Sequence, residues 1–129
     1  MEDCIFCKIM KGEIPSYTIY EDEIVKVFLD IEPLANGHCL VVPKKHTENI
    51  ETIDDETLMH IQKVSKEMYN LFREKLGCIG MTRLQNNGYG QDVKHYHLHL
   101  IPRYENDNII INHQKVLATS EVFNKIKNS

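Results

Sequence analysis

Apolar positions repeat along this chain with two different periods, and each period marks out its own elements. Between 54 and 76, Leu58, Ile61, Val64, Met68, Leu71 and Phe72 recur mainly at spacings of three and four, which stacks them on one face of an α-helix. Asp54, Asp55 and Glu56 crowd its first turn, where the helix dipole favours negative charge. Gly77 supplies the left-handed stop expected just past the end. About 23 residues give a helix of about 34 Å, long enough to cross a five-stranded sheet. Elsewhere the period is two. Segments 16–21 and 24–30 read as strands joined by the acidic turn Glu21-Asp22-Glu23. His38-Cys39-Leu40-Val41-Val42-Pro43 reads as a strand apolar on both faces and stopped by proline. Strand character returns at 79–85 and again at 95–101. Cys4-Ile5-Phe6-Cys7-Lys8-Ile9-Met10 suits a short helical turn ended by Gly12 and Pro15. Turn residues fill Glu32-Pro33-Leu34-Ala35-Asn36-Gly37 and Asn86-Asn87-Gly88-Tyr89-Gly90. Beyond Arg103 come a polar loop, the apolar run Ile109-Ile110-Ile111 and a short helix at 120–127. The pattern predicts an α+β fold: an antiparallel, meander-like sheet of about five strands with one long helix and a short N-terminal helix.

Composition narrows this picture without changing it. A chain of 129 residues predicts a single domain, 1–129. Hydrophobic content of 42% and charged content of 26% are those of an ordinary soluble protein. No apolar run reaches the length of a membrane span, and Met1-Glu2-Asp3-Cys4 does not open a basic-then-hydrophobic leader. The expectation is a cytoplasmic location with no membrane partner. A net charge of -4 argues against a nucleic-acid surface. Four cysteines suggest free thiols or metal ligands before disulfides.

Candidate chemistry centres on His95-Tyr96-His97-Leu98-His99-Leu100-Ile101. On a strand, the three histidines share one face and Tyr96, Leu98 and Leu100 the other. At about 3.3 Å per residue, His95 and His99 lie roughly 13 Å apart, too far to converge on one metal ion. The row therefore reads as a catalytic track, against the plainer reading of a solvent-facing strand that carries histidines. Imidazole is a good nucleophile towards phosphorus and a proton carrier near neutral pH. His97, flanked on both sides, is the expected nucleophile, and His99 would hold a phosphate oxygen or the departing group. His38, opening another strand, is a fourth member of this set or a surface histidine at a strand end. The glycine-rich loop before the row lets backbone N–H groups approach a phosphate. Cys4-x-x-Cys7 supplies half of a tetrahedral zinc site; the competing reading is two half-buried thiols on a helical turn. Cys39 and Cys78 read as core thiols, and His60 and His113 as solvated.

These motifs resemble the histidine-triad (HIT) family of nucleotide hydrolases and transferases, defined by His-φ-His-φ-His-φ-φ with φ hydrophobic. His95 to Ile101 fits at every position, Tyr96 being the least typical filler. Phe28-Leu29-Asp30-Ile31 with Pro33 is similar to the family's nucleoside-binding strand and turn. Gly37-His38-Cys39-Leu40-Val41-Val42-Pro43-Lys44-Lys45-His46 resembles a segment of its Hint-like branch. Asn86-Asn87-Gly88 and Gly90-Gln91 resemble the phosphate loop. The likeness covers about 4–103, leaving 104–129 as a C-terminal extension.

The resemblance implies a hydrolase or transferase acting at the α-phosphate of purine nucleotides, of phosphoramidate or acyl-adenylate type. His97 would form a covalent nucleotidyl-histidine, with His38 and His95 supporting the histidine network. Asp30 would accept from the ribose hydroxyls and Ile31 would lie against the base. Asn86, Gly90, Gln91 and His99 would surround the phosphate or leaving group. The retained third histidine argues against the uridylyltransferase branch, which typically has Gln there. It further implies a structural zinc held by Cys4, Cys7, His46 and His95, no organic cofactor, and a homodimer. Two departures stand out. The phosphate loop is short, so Asn86 or Asn87 takes the aligned position; and Asp92 stands where relatives often carry Ser or Thr, able to repel a polyphosphate or to bind a cationic amine. Alternative functions are a dinucleoside polyphosphate hydrolase and a nucleotide- or zinc-binding interaction protein with incidental catalysis.

Overall fold

The computed structural model describes residues 3–111 and 118–128. In chain order the elements are α1 (Ile5–Met10), β1 (Thr18–Glu21), β2 (Val25–Leu29), β3 (Cys39–Pro43), α2 (Asp55–Leu76), β4 (Gly80–Leu84), β5 (Leu98–Arg103) and α3 (Ser120–Lys127). The five strands make one antiparallel open sheet in the order β1-β2-β3-β5-β4, an α+β fold as the periodicities predict. The simple meander is corrected. Strands β1 to β3 do meander, but the 22-residue α2 then carries the chain past the neighbouring place. That place is filled later by β5, leaving β4 at the edge.

Helix α2 starts and stops where its sequence directs. The Asp54 side chain accepts from the Thr57 amide at 3.0 Å, and Gly77 closes the other end at φ 69° in the left-handed region. Its buried face, Ile61, Val64, Met68 and Phe72, packs with Val25, Val27, Cys39, Val41, Tyr96, Leu98 and Leu100 from one face of the sheet. Each such side chain contributes about 1.5–3 kcal/mol relative to exposure. On the opposite face Phe28, Leu40 and Val42 meet Phe6 and Ile9 of α1. Strand β3 is thus buried on both faces, and the histidines share the α1 side because His99 lies directly across from Leu40.

Two further expectations are corrected. The histidine row is not one strand: β5 begins at Leu98, so His95 and His97 precede it. The ladder ends there because β3 closes with Pro43, which has no N–H to give, and the Tyr96 amide donates instead to the Thr47 carbonyl at 2.8 Å. Nor is His60 solvated. Its Nε2 lies 2.7 Å from Asp22 Oδ2, which also accepts from the Tyr20 hydroxyl at 2.7 Å. Burial opposes the charge on Asp22, but donors from Val25, His60, Tyr20 and Ile24 outweigh it and hold that carboxyl well below the usual range. The β1–β2 turn is thereby pinned to α2. His113 lies outside the described residues. No helix among the described residues is long and apolar enough to cross a membrane.

Candidate active site

His95 and His97 are each oriented by a backbone carbonyl, and that group fixes where the ring's proton sits. A carbonyl only accepts, so the nitrogen facing it carries the hydrogen. His95 Nε2 donates to the Pro43 carbonyl at 2.8 Å; its Nδ1 therefore keeps a lone pair. That lone pair lies 3.4 Å from Cys4 Sγ and 3.6 Å from Cys7 Sγ. His46 Nδ1 is 3.2 Å from Cys7 Sγ. The four donor atoms all lie within 4.8 Å of one another, so the first member of the row groups with two thiols and a second imidazole. Burial is the main cause lowering the His95 imidazole's proton affinity and raising the Cys7 thiol's.

His97 is arranged the other way round. Its Nδ1 donates to the His95 carbonyl at 2.8 Å, leaving the lone pair on Nε2. Phe6 packs nearly perpendicular to both rings, with centroids 5.0 Å from His97 and 5.8 Å from His95. Among the described residues no buried side-chain nitrogen or oxygen lacks a partner. Nε2 of His97, 3.3 Å from the exposed Asp92 carboxylate, accordingly opens on a cleft of about 720 Å³. Phe6, Ile9, Ile14, Phe28 and Leu40 make that cleft's apolar side. Its charged members are Asp30, Glu32 and Asp92, beside His38, His97 and His99; no Lys or Arg among the described residues lines it.

At the far end, His38 Nε2 and His99 Nδ1 are 3.0 Å apart. Asp30 Oδ2 lies 3.5 Å from the first and 3.8 Å from the second. The Leu34 amide donates to His38 Nδ1 at 3.0 Å. Burial, then the neighbouring imidazoles of His97 and His38, push His99 down to about 4. Burial lowers His38 as well, against the opposing charge of Asp30. The site thus offers a bare imidazole nitrogen beside a carboxylate and two rings that stay neutral at pH 7, in an apolar-walled cleft. Such a set can attack an electrophile and steady what it attacks.

The structure brings His38, His97, His99, Asp30 and Ile31 to this cleft and gathers Cys4, Cys7, His46 and His95 beside it. Asn86, Gly90 and Gln91 are not among the residues that line the cleft. The Gln91 amide ties its own loop to the 48–49 segment. Nε2 donates to the carbonyls of Glu48 (2.7 Å) and Val93 (2.9 Å), while Oε1 accepts from the Gly88 amide (3.0 Å) and Asn49 Nδ2 (3.5 Å). Sequence reasoning missed Asn49, Phe6 and the backbone groups of Leu34, Pro43 and His95. Only Phe6 left a trace, three residues before Ile9 on the buried side of α1.

A family model of the HIT domain matches residues 11–106. The chain belongs to the HIT family. It is 45% identical over 128 residues to a HIT-like protein of Methanocaldococcus jannaschii, covering 96% of this chain and 98% of that one. It is 43% identical over 102 residues to a Saccharomyces cerevisiae protein named adenosine 5'-monophosphoramidase, covering 78% and 62%. A HIT family protein from Bacillus anthracis superposes with a TM-score of 0.88 at 39% identity, over 98% of this chain and 94% of that one. A zinc-bound histidine triad family protein from Mycobacterium smegmatis gives 0.81 at 35% identity, over 89% and 85%.

Proposed function

We propose that this HIT protein is a nucleotidyl hydrolase or transferase working at the α-phosphate of a purine nucleotide through a nucleotidyl-histidine on His97. The observation that carries the reading is the His97 ring, whose Nδ1–H is tied to the His95 carbonyl while the bare Nε2 faces the cleft. Nε2 attacks phosphorus in line as the bond to the leaving group breaks, and the departing atom takes the electron pair and then a proton. Water next cleaves the P–N bond, releasing the nucleotide and returning the lone pair to Nε2. Asp30 accepts from the ribose hydroxyls, and the apolar side of the cleft takes the base with Ile31 at its rim. The relative named adenosine 5'-monophosphoramidase supports a phosphoramidate substrate. So do the three carboxylates and the lack of a lysine or arginine among the described lining residues, since a polyphosphate would meet repulsion there.

Cys4, Cys7, His46 and His95 fit a structural zinc: two thiols, two imidazoles, and a His95 Nδ1 already freed by the Pro43 bond. When bound, the metal supplies rigidity, tying α1 to the row, and no chemistry. The zinc-bound relative supports this assignment. The same reading includes a homodimer formed through the edge strand β4 and α2, a cytoplasmic location, and one domain with its core at 4–103.

The test is turnover of adenosine phosphoramidate and of diadenosine polyphosphates by the wild type and by His97→Ala. Phosphoramidate is cleaved, the variant loses on the order of 10⁴-fold or more in kcat, and mass spectrometry of the quenched enzyme finds the nucleotidyl adduct on His97. Cleavage of the dinucleotides alone would select that alternative. Nucleotide binding without any turnover would select the interaction protein.

A further inference from the structure

We infer that the backbone amide of Leu34, acting through His38, fixes the proton of His99 on Nε2 and so turns that ring into a hydrogen-bond donor facing the substrate. The substrate part of this inference rests on the reading of the cleft given above; the proton assignment does not.

The assignment starts from a group with no choice. The Leu34 amide can only donate, and it lies 3.0 Å from His38 Nδ1, so Nδ1 accepts and carries no hydrogen. The proton of a neutral His38 therefore sits on Nε2, and burial keeps the ring neutral. His38 Nε2 lies 3.0 Å from His99 Nδ1, closer than the Asp30 carboxylate at 3.5 Å, so it donates to His99. A ring nitrogen that accepts holds no proton of its own, which leaves the proton of His99 on Nε2. The reverse arrangement would place the His38 proton on Nδ1, pointing at the Leu34 N–H with two donors in contact. A doubly protonated His38 meets the same conflict, and a doubly protonated His99 would face the His38 Nε2–H and is disfavoured at neutral pH by its low proton affinity.

His99 Nε2 has no partner among the described residues, and no buried polar side-chain atom is left unpartnered; the nitrogen opens on the cleft that the ring lines. The rings of His97 and His99 stand with centroids 5.1 Å apart and offer the cleft opposite groups, a lone pair from one Nε2 and an N–H from the other. A carbonyl fixes the first and an amide, one ring removed, fixes the second. A donor set beforehand at a phosphate oxygen or departing atom stabilises the charge that develops there without reorganising. If His99 carried its proton on Nδ1, a lone pair would face an anionic phosphate instead. His38 and the Leu34 amide are positioning groups; His99 is the group that touches substrate.

The deciding measurement needs no substrate. Two-bond ¹⁵N–¹H imidazole spectra of the free wild-type protein report which nitrogen of each ring is protonated, and His99 is expected as the Nε2–H form beside His97 as the Nδ1–H form. His38→Phe keeps the ring and removes both nitrogens. His99 then loses its single form and kcat falls by about 10²-fold, as for loss of one fixed donor, with KM little changed. His38→Gln restores an N–H near the Nε2 position, returns His99 to the Nε2–H form and recovers part of kcat. A wild-type His99 protonated on Nδ1, or a His38→Phe spectrum with the form unchanged, overturns the inference. The wild-type spectrum decides even if a variant does not fold. Absent turnover with the expected spectrum would count against the proposed reaction and not against the proton assignment.

Discussion

Cys4, Cys7, His46 and His95 at one end of the histidine row, and Asp30, His38 and His99 at the other, each gather their donor atoms within 4.8 Å. Their chemistry nonetheless differs. At the first end the His95 proton is drawn off to the Pro43 carbonyl, so its lone pair turns towards two sulfurs, as the proposed zinc site requires. At the second end the Leu34 amide pushes the His38 proton inward to His99, so the nitrogens between the rings satisfy one another. Similar residue types become a ligand set or a hydrogen-bonded chain according to whether a carbonyl or an amide meets the outer nitrogen.

The largest effect that would break this contrast is metal selectivity. The wild type is expected to bind one zinc ion, and Cys7→Ser to lose more than about 100-fold in affinity. Asp30→Asn leaves the bound zinc, measured by atomic absorption, unchanged; a second tightly bound ion that Asp30→Asn removes would end the comparison.

Acidification sharpens it next. His99 is held at about 4 in the folded chain against 6.5 for an ordinary imidazole, and His38 is lowered too. Between these values the unfolded chain takes up protons that the folded chain refuses. Stability is therefore full above pH 6.5 and falls as pH drops towards about 4, by up to about 3 kcal/mol for His99. Urea titrations from pH 7 to 4 on the Cys7→Ser background read this without metal release; a flat profile would count against neutral buried rings.

Gly37→Ala should cost about 1–2 kcal/mol. The backbone there has φ 91°, and an added Cβ would come within 2.6 Å of Leu76 Cδ1 and 3.2 Å of Pro102 Cγ. Because Gly37 leads into His38, the variant's melting curve should shift together with the His99 imidazole signals, while zinc content stays constant. Least of all, Leu34→Ala trims an exposed side chain and keeps the amide, so stability should move by no more than about 0.5 kcal/mol. The His99 spectrum should not change; if it did, the side chain and not the N–H would be what orients His38.

Much of this molecule could be read from its letters. The α2 face and its Gly77 stop, the doubly buried β3, and His97 facing away from Tyr96 and Leu98 all follow from local patterning, which the structure keeps. Sheet order was not legible, because the place β5 fills depends on how far α2 carries the chain. The partners of Gln91 were hidden for a similar reason. Its type suits a phosphate, but partners near positions 48 and 88 use all of its amide.

The sequence by itself determined which side chains lie on which face, since that depends on a residue's own backbone and its near neighbours. It also supplied the inventory of imidazoles, thiols and carboxylates. Only the tertiary structure decided which nitrogen of each ring holds its proton. That choice belongs to the Pro43 and His95 carbonyls and the Leu34 amide, groups nearly every residue carries alike, whose effect arises from where folding sets them.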